Sequence, residues 1–363
     1  MSAITFNGIG ENTRGMTEAQ RLWWIAGLSM LPVRFIQGFI YWGGGSRRFI
    51  YAPSKLDPHM PTWMANKFQT AMPGALFGAD HIISYMLQHF YLLYAGIILF
   101  SAVELVFGAM LIAGLLTRLS ALVSMGLAAV LMAMFGWQGA TCIDEWTMAA
   151  ANLAMGATLM LAGGSAYSLD NVRLRRKPAL ADSAWFRWTA GSLPLPEMGR
   201  HGFRNLALAM FAFVAVYDVG TYSYYRGSVV TPFHSGPVSA TKHHLTLAKA
   251  VLLPGGGVRF HVYLDGGTPE APAHVVAADL IDGDGHSVAH WDAAALSKLP
   301  KTAFANDYAY NKFAAGPFGI RAKMGAAATV TLPPVAPGVK GAKFVRLTDV
   351  DGRKFSAVIA EER

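Results

Sequence analysis

Residues 86–116 of the chain read MLQHFYLLYAGIILFSAVELVFGAMLIAGLL, and Glu104 is the one acidic residue among them. A helix of about 20 apolar residues crosses the roughly 30 Å hydrocarbon core of a bilayer. This run is long enough to cross with tilt or with a short extension beyond the membrane. It indicates an integral membrane protein.

Further apolar runs lie on both sides of this stretch, at residues 22–42, 119–137, 146–163 and 203–222. In the whole chain 53% of residues are hydrophobic and 14% are charged, against about 25% charged in soluble domains. Too little polar surface remains to cover a single water-soluble core. The first run follows a polar stretch and is too long for a cleavable signal peptide, so it reads as a retained anchor. We therefore expect five transmembrane helices, a four-helix unit followed by a fifth span.

Basic residues between the fourth and fifth runs predict the orientation: Arg173, Arg175, Arg176, Lys177, Arg187, Arg200 and Arg204. Lysine and arginine accumulate in cytoplasmic loops, so this connection should be cytoplasmic. We expect a multi-pass protein of the cytoplasmic (inner) membrane whose C-terminal domain is periplasmic or otherwise extracytoplasmic.

Four cations run against this orientation, because the connection at 43–85, expected outside, contains Arg47, Arg48, Lys55 and Lys67. Either this long loop is translocated regardless of its charge, or the cations attract an anion at the outer face. The net charge of +8 otherwise suits basic cytoplasmic loops. No lysine- and arginine-rich helix or RNA-binding motif indicates a nucleic-acid partner.

Residues 226–363 have the pattern of a soluble, strand-rich domain. Alternation typical of strands occurs at 258–264, 275–281, 327–332, 344–347 and 355–359. Segments rich in glycine and aspartate, at 255–257, 265–267, 282–285 and 351–352, should form hairpin-type turns. The expected fold class is α + β, a transmembrane helix bundle with a C-terminal extracytoplasmic antiparallel β-sandwich.

Three ionisable residues interrupt the apolar runs: Arg34, Glu104 and Asp218. Charges within a bilayer are costly and usually face one another or a cavity. Arg34 and Glu104 form either an ion pair that only fixes helix packing, or a polar pocket for a substrate head group or for protons. Asp218, near the outer end of its run, is the weaker candidate.

Residues 136–146, GWQGATCIDEW, contain the single cysteine of the chain, Cys142. This loop joins two predicted spans at the outer face and places the thiol beside Asp144 and Glu145, between Trp137 and Trp146. The cysteine is either a buried bystander or a nucleophile, and thiolates favour sulfur chemistry. Asp144 and Glu145 would raise the pKa of the thiol, unless they only cap the following helix, whose dipole favours the thiolate.

Two sets of motifs resemble a known family. The helical part resembles DoxD, a subunit of thiosulfate:quinone oxidoreductase related to the DoxX membrane proteins. The motifs that carry this resemblance are Arg34-x-x-x-Gly38, Glu104-x-x-x-Gly108, Gly114-Leu-Leu-Thr-Arg118, Cys142-Ile-Asp-Glu-Trp146 and Ser168-Leu-Asp170. The C-terminal domain, residues 226–363, resembles the partner subunit, DoxA. The residues that carry this resemblance are His243-His244, Gly267-Thr-Pro269, Trp291, Asn306-Asp-Tyr-Ala-Tyr-Asn-Lys312 and Phe318-Gly-Ile320. The chain therefore resembles a DoxD–DoxA fusion. Its expected parts are a DoxD-like domain at 1–177, a basic linker at 178–202, a fifth helix at 203–225 and a DoxA-like domain at 226–363.

The resemblance implies oxidation of thiosulfate to tetrathionate with electrons passed to membrane quinone, of the ubiquinone or menaquinone type. No metal, haem or flavin motif is visible, so quinone is the one cofactor expected. We assign catalysis to Cys142, Asp144 and Glu145, and thiosulfate binding to Arg34, Arg47, Arg48, Lys242 and His243. Quinone binding is assigned to Arg34, Glu104, Trp137 and Trp146. The partners expected are thiosulfate, the quinone pool, the bilayer and a second copy of the chain.

Two readings stay open beside this one. The donor is another small sulfur species, such as sulfite or a thiol, or the protein is a non-enzymatic anchor that presents an external binding domain. In the tail, a metal site that uses both His243 and His244 is disfavoured, because adjacent side chains of an extended segment point to opposite faces. The Asn306–Lys312 run is either functional or a packing loop.

Overall fold

Helices account for most of the described chain up to residue 226. The computed structural model describes residues 17–51, 53–138, 145–164, 166–199, 201–226, 237–335, 339 and 341–360. The helices in these ranges are α1 (Glu18–Ser29), α2 (Leu31–Ser46), α3 (Met64–Ala71), α4 (Ala79–Gln88), α5 (Phe90–Ala113), α6 (Thr117–Phe135), α7 (Glu145–Ala162), α8 (Leu169–Arg176), α9 (Ala184–Thr189), α10 (Gly202–Arg226) and α11 (Ala293–Ser297).

Four helical segments in the described ranges are long and apolar enough to cross a membrane: Arg21–Tyr51, Phe90–Ala113, Thr117–Phe135 and Gly202–Tyr225. By length and composition the chain is thus a multi-pass membrane protein. The predicted run at 146–163 forms α7 but is not among these four, since Glu145 and Asn152 make it less apolar. The run at 86–116 is divided at His89, where α4 ends and α5 begins.

Glycines let α2 and α5 approach closely. A Cβ atom on Gly38 would lie 2.8 Å from the Ile112 backbone nitrogen, and one on Gly108 would overlap the Trp42 backbone. Distances under 3.0 Å are too short for a real side chain, so these positions require glycine. The glycines of the two R-x-x-x-G and E-x-x-x-G motifs therefore fix the helix pairing that carries Arg34 and Glu104.

The described residues divide into two compact units. The membrane unit contains those of 1–60, 94–132 and 145–224, and the tail unit those of 61–93, 133–144 and 225–363. The tail unit thus includes α3 and α4, which the sequence pattern had assigned to a loop of the membrane domain.

Ten strands form one sheet in the tail unit: β1 (His244–Leu252), β2 (Val258–Gly266), β3 (Ala273–Ile281), β4 (Ser287–Trp291), β5 (Phe304–Asn306), β6 (Phe313–Gly316), β7 (Gly319–Ala322), β8 (Ala327–Leu332), β9 (Phe344–Asp349) and β10 (Lys354–Ala360). The order is β5-β8-β2-β1-β10-β9-β3-β7-β6, and β4 pairs with β3. Alternating residues of β2, Val258, Phe260, Val262 and Leu264, fill the core.

The sheet confirms the α + β class and all five predicted strands. One pair, β1 with β10, is parallel, whereas the prediction was wholly antiparallel. The turns at 255–257, 282–285 and 351–352 join antiparallel partners as expected. The 265–267 prediction is wrong, because it connects β2 to β3, which do not pair.

Asn306 nearly closes this sheet. Its side chain accepts from the Phe313 backbone nitrogen (2.7 Å) and donates to the Phe313 carbonyl (3.1 Å). Asn306 ends β5 and Phe313 begins β6, the two terminal strands of the order. An amide side chain thus makes the pair of bonds that a neighbouring strand would otherwise make.

Candidate functional site

A buried ion pair joins α5 to the end of α2. Glu104 is 4% exposed, and its carboxylate accepts a hydrogen bond from the Arg48 guanidinium. Arg48 belongs to a π-helical turn, Arg47–Tyr51, that continues α2. Gly44 lies beside the carboxylate, since a Cβ atom there would be in ordinary van der Waals contact with Glu104 Oε2, at 3.4 Å. Pairing offsets the cost of placing either charge in an apolar bundle.

The interpretation of Arg34 and Glu104 as an ion pair is wrong. Glu104 pairs with Arg48, a cation that the sequence pattern had assigned to the external connection. The Arg34 guanidinium instead donates to three backbone carbonyls, those of Gly164, Ala166 (3.0 Å) and Tyr167 (3.0 Å). Arg34 therefore holds the segment that follows α7.

Arg34 and Glu145 lie at opposite ends of α7. Glu145 is the first residue of this 18-residue helix, and Arg34 contacts the residues beyond its last turn. At 1.5 Å per residue the helix is about 27 Å long. The structure does not bring Arg34 to the end of α7 at which the cysteine loop finishes, and its ligand contacts stay predictions.

A second charged cluster, around Asp170, fixes the linker. The carboxylate of Asp170 accepts from the backbone nitrogens of Leu116 (2.7 Å), Thr117 (3.0 Å) and Gly191 (3.0 Å), and from Thr117 Oγ1 (2.9 Å). Arg118, fully buried, donates to the carbonyls of Met160, Arg187, Ala190 and Leu193. Every one of these donors and acceptors is satisfied within the protein. The Thr117-Arg118 and Ser168-Leu169-Asp170 motifs are therefore scaffold for the helix ends.

Neutral polar side chains line the interior of the bundle between these two clusters. Gln37 Nε2 donates to the Asn152 carbonyl (2.9 Å), and Asn152 Nδ2 donates to Met148 (2.9 Å). The Tyr41 hydroxyl donates to the Ser124 carbonyl (2.8 Å). Gln37 and Asn152 are 0% and 2% exposed, yet Gln37 Oε1 and Asn152 Oδ1 have no hydrogen-bond partner among the described residues. Sequence reasoning missed this set, although amides within apolar runs are a visible signal.

The cysteine loop is described only at its flanks. Cys142 and Asp144 lie outside the described residues, so the roles assigned to them stay predictions. After the loop, Trp146 Nε1 donates to Thr221 Oγ1 (2.8 Å), and its ring centroid lies 5.2 Å from that of Tyr222. Both partners belong to α10, so Trp146 joins the start of α7 to this helix.

Before the loop, Trp137 is held in the tail unit. It is 1% exposed, its Nε1 donates to the Ala71 carbonyl (2.8 Å), and its ring packs on Gly74. The whole ring is thus enclosed by protein, and the quinone contact assigned to Trp137 stays a prediction.

The same α3 helix binds the C-terminal sheet. Gln69 Nε2 donates to the carbonyls of Asn311 (2.9 Å) and Gly325 (2.9 Å), and Gln69 Oε1 accepts from the Asn311 backbone nitrogen (2.8 Å). The Asn311 side chain donates to Asn66 and Met324. Together with the Asn306 bridge, these bonds favour the packing interpretation of the Asn306–Lys312 run.

The predicted tail cations are separate in their contacts. Lys242 is exposed, and His243 Nε2 lies 3.1 Å from the Ala271 carbonyl. His244 Nδ1 lies 2.6 Å from Asp265 Oδ1. The two histidines thus have different partners.

An apolar cavity of about 820 Å³ lies at the linker end of the membrane unit. Its lining includes Trp23, Leu161, Leu195, Met198 and Phe203, with Glu197 as a charged group. The volume is in the range of small-molecule sites. Like Arg34, it lies at the end of α7 away from Glu145.

Comparison with protein families identifies both parts of the chain. Residues 29–196 match the family described as TQO small subunit DoxD, and residues 226–358 match TQO small subunit DoxA, where TQO is thiosulfate:quinone oxidoreductase. No solved structure matches the chain. The first match covers the motifs around Arg34, Glu104, Asp170 and the cysteine loop, and the second covers the sheet except for the last two residues of β10. The chain is therefore a fusion of the two TQO small-subunit families, DoxD and DoxA, in one polypeptide.

Proposed function

We propose that this protein oxidises thiosulfate to tetrathionate at the outer face of the cytoplasmic membrane and passes the electrons to membrane quinone. The observation that carries the proposal is the fusion of both TQO small-subunit families in one chain. The buried Arg48–Glu104 pair supports it, since charge inside a membrane bundle is typical of a functional site.

The proposed chemistry uses Cys142 as a covalent relay. Its thiolate bonds to the outer sulfur of one thiosulfate, and the two electrons released in forming this S–S bond reduce one quinone, which takes up two protons. A second thiosulfate then attacks that outer sulfur, so tetrathionate forms and the cysteine leaves as thiolate. The sum is two thiosulfates, one quinone and two protons converted to one tetrathionate and one quinol.

This relay constrains the position of the quinone. The ring has to meet the cysteine adduct, so it must approach the end of α7 that starts with Glu145. Trp146 lies at this end of α7. Along α2, Arg34 contacts the far end of α7 and Gln37 contacts Asn152 within it, so α2 runs from the far end towards the Glu145 end, and Arg48 follows in that direction. We assign the quinone head group to the Glu104, Arg48 and Trp146 side of the bundle. The cavity at the linker end, about 27 Å away along α7, suits a lipid chain better.

Exposed cations are available for the dianionic substrate. Arg47 and Lys242 are exposed, and His243 is partly buried. The Arg48 guanidinium forms an ion pair with Glu104, so its charge is largely compensated within the protein. We therefore propose Arg47 and Lys242 as attracting groups for thiosulfate, with Glu145 and Asp144 shaping the thiol environment.

The test is quinone reduction by the full chain purified in mild detergent, with thiosulfate, sulfite and a small thiol as separate donors. Reduction with thiosulfate, and tetrathionate as product, is the expected result. Reduction with sulfite or the thiol, but not with thiosulfate, would show that the protein is a quinone reductase with a different donor. Reduction with none of them, in protein whose lipid extract lacks quinone, would favour a non-enzymatic anchor.

A further inference from the structure

The proposed reaction has a proton requirement that its sulfur chemistry does not meet. Two thiosulfates yield tetrathionate and two electrons without releasing a proton, whereas reduction of quinone to quinol consumes two. Both protons must therefore come from water. The quinone site lies within an apolar bundle, so these protons need a polar route through it.

The interior of the membrane unit offers such a route. Thr117, Ser120 and Ser124 follow one another at helical spacing on α6, and each is at most 1% exposed. Tyr41 bonds to the Ser124 carbonyl, and three residues later on α2 a Cβ atom on Gly44 would lie 3.4 Å from the Glu104 carboxylate. Buried hydroxyls thus extend from the Asp170 cluster towards Glu104.

The two unpartnered amide oxygens imply bound water in this route. Both amide nitrogens donate to carbonyls, so exchanging oxygen and nitrogen in either amide would set two oxygens against each other. Gln37 Oε1 and Asn152 Oδ1 consequently need a donor. A buried, unsatisfied acceptor costs about 1–3 kcal/mol, and water is the usual donor at such a place.

The position of the α6 hydroxyls favours entry from the linker side, because they begin at Thr117, which bonds to Asp170, and reach Ser124, whose carbonyl bonds to Tyr41. Beyond Glu104 stands the Arg48 guanidinium, paired with the Glu104 carboxylate and 5.9 Å from the Phe100 ring centroid. At the linker end Arg34 and Arg118 both interact electrostatically with Asp170, which partly neutralises them. The described polar side chains of α6 between these ends are neutral.

We propose that water bound by Gln37 and Asn152 joins the Ser120, Ser124 and Tyr41 hydroxyls to Glu104 and carries protons from the linker side to the quinone. The inference rests on the proposed function. It makes the reaction electrogenic, because the electrons come from thiosulfate at the outer face and the protons from the linker side.

The experiment uses the full chain in vesicles that contain a quinone analogue and a trapped pH-sensitive dye. Thiosulfate added outside does not cross the bilayer, so only molecules whose thiosulfate site faces outward turn over. The expected result is internal alkalinisation of two protons per quinol. Gln37→Met and Asn152→Leu should each lower turnover at least tenfold, while Gln37→Glu, whose protonated carboxyl would keep both a donor for the Asn152 carbonyl and an acceptor for water, should retain most of it.

Thr158→Val is the matched control, since Thr158 is an exposed hydroxyl on the same helix as Asn152. Protons withdrawn from the outer side, or full turnover in Gln37→Met and Asn152→Leu, would overturn the route and leave the proposed function standing. Absence of thiosulfate-dependent quinone reduction in the unchanged protein would overturn both. If Asn152→Leu does not fold, Gln37→Met and its Glu counterpart decide the matter.

Discussion

Gln69 and Asn311 bind each other through two reciprocal hydrogen bonds, although 242 residues separate them in the chain. Gln69 is 0% exposed and Asn311 is 2% exposed. This contact joins α3, which lies in the DoxD match, to a loop in the DoxA match. The tail unit therefore contains residues of both matches.

Replacement of Gln69 by alanine should destabilise the tail unit. The Asn311 backbone nitrogen would lose its acceptor while remaining buried, which costs about 1–3 kcal/mol for each such group. A lower melting temperature of the full chain in detergent is expected. Gln88→Ala, an exposed amide on α4, is the control, and equal melting of the two variants would contradict the assigned contact.

Removal of one partner of the Arg48–Glu104 pair should be more damaging than removal of both. Arg48→Met removes the guanidinium that pairs with a buried carboxylate, a change that typically costs about 3–5 kcal/mol. The double variant Arg48→Met with Glu104→Gln should recover much of the thermal stability. A double variant that melts below both single variants would show that the two groups do not act as a pair.

Gly74→Ala should disturb the anchoring of Trp137. The new methyl group would overlap the indole ring, which has no room to move at 1% exposure. We expect a lower melting temperature and a changed rate of Cys142 alkylation, because Trp137 precedes the cysteine loop. Gly43→Ala, where a Cβ atom meets open space, serves as control.

Cys142→Ser should abolish thiosulfate-dependent quinone reduction without changing the melting temperature. Serine does not form the S–S bond that the proposed relay requires. Turnover and thermal stability are measured on the same preparation. Substantial turnover in the folded serine variant would exclude the relay.

The tail unit should lose stability in acid through Asp279. Burial alone would raise the pKa of this carboxyl, but hydrogen bonds from His290 and Ser287 and the charge of Arg346 together lower it. Because the pKa of Asp279 is lower in the folded than in the unfolded protein, its ionised carboxylate stabilises the fold at pH values above the unfolded pKa of about 3.9. This contribution disappears as the pH falls through the folded pKa. Melting temperatures between about pH 2 and 6 should therefore fall less steeply in Asp279→Asn. Parallel curves would contradict this assignment.

The sequence predicted the elements better than their partners. Apolar length revealed the membrane helices, and alternation revealed five strands of the sheet. Short strands such as β5 and β7 carry too few residues for a pattern. The parallel pairing of β1 with β10 depends on residues far apart in the chain, such as Ala250 and Ile359, which no local signal reports.

The candidate site shows the same division. Glu104 stood out as an acid in an apolar run, but its partner Arg48 was assigned to a loop, since a π-helical extension of α2 has no clear sequence signature. Gln37, Asn152 and Asp170 are polar residues whose meaning depends on which helices meet. Their burial, and the two unpartnered oxygens, become visible only in the packed bundle.

The Gln69–Asn311 contact also determines the order in which this protein matures on the ribosome. The α3 helix is synthesised 242 residues before its partner, and ribosomes add roughly 5–20 residues per second. The polar face of α3 therefore lacks its Asn311 partner for about 12–50 seconds, while the helices between them are inserted into the membrane. Completion of the tail unit is thus a late event in biosynthesis, and a chain truncated before Asn311 would expose an unpaired helix to proteases.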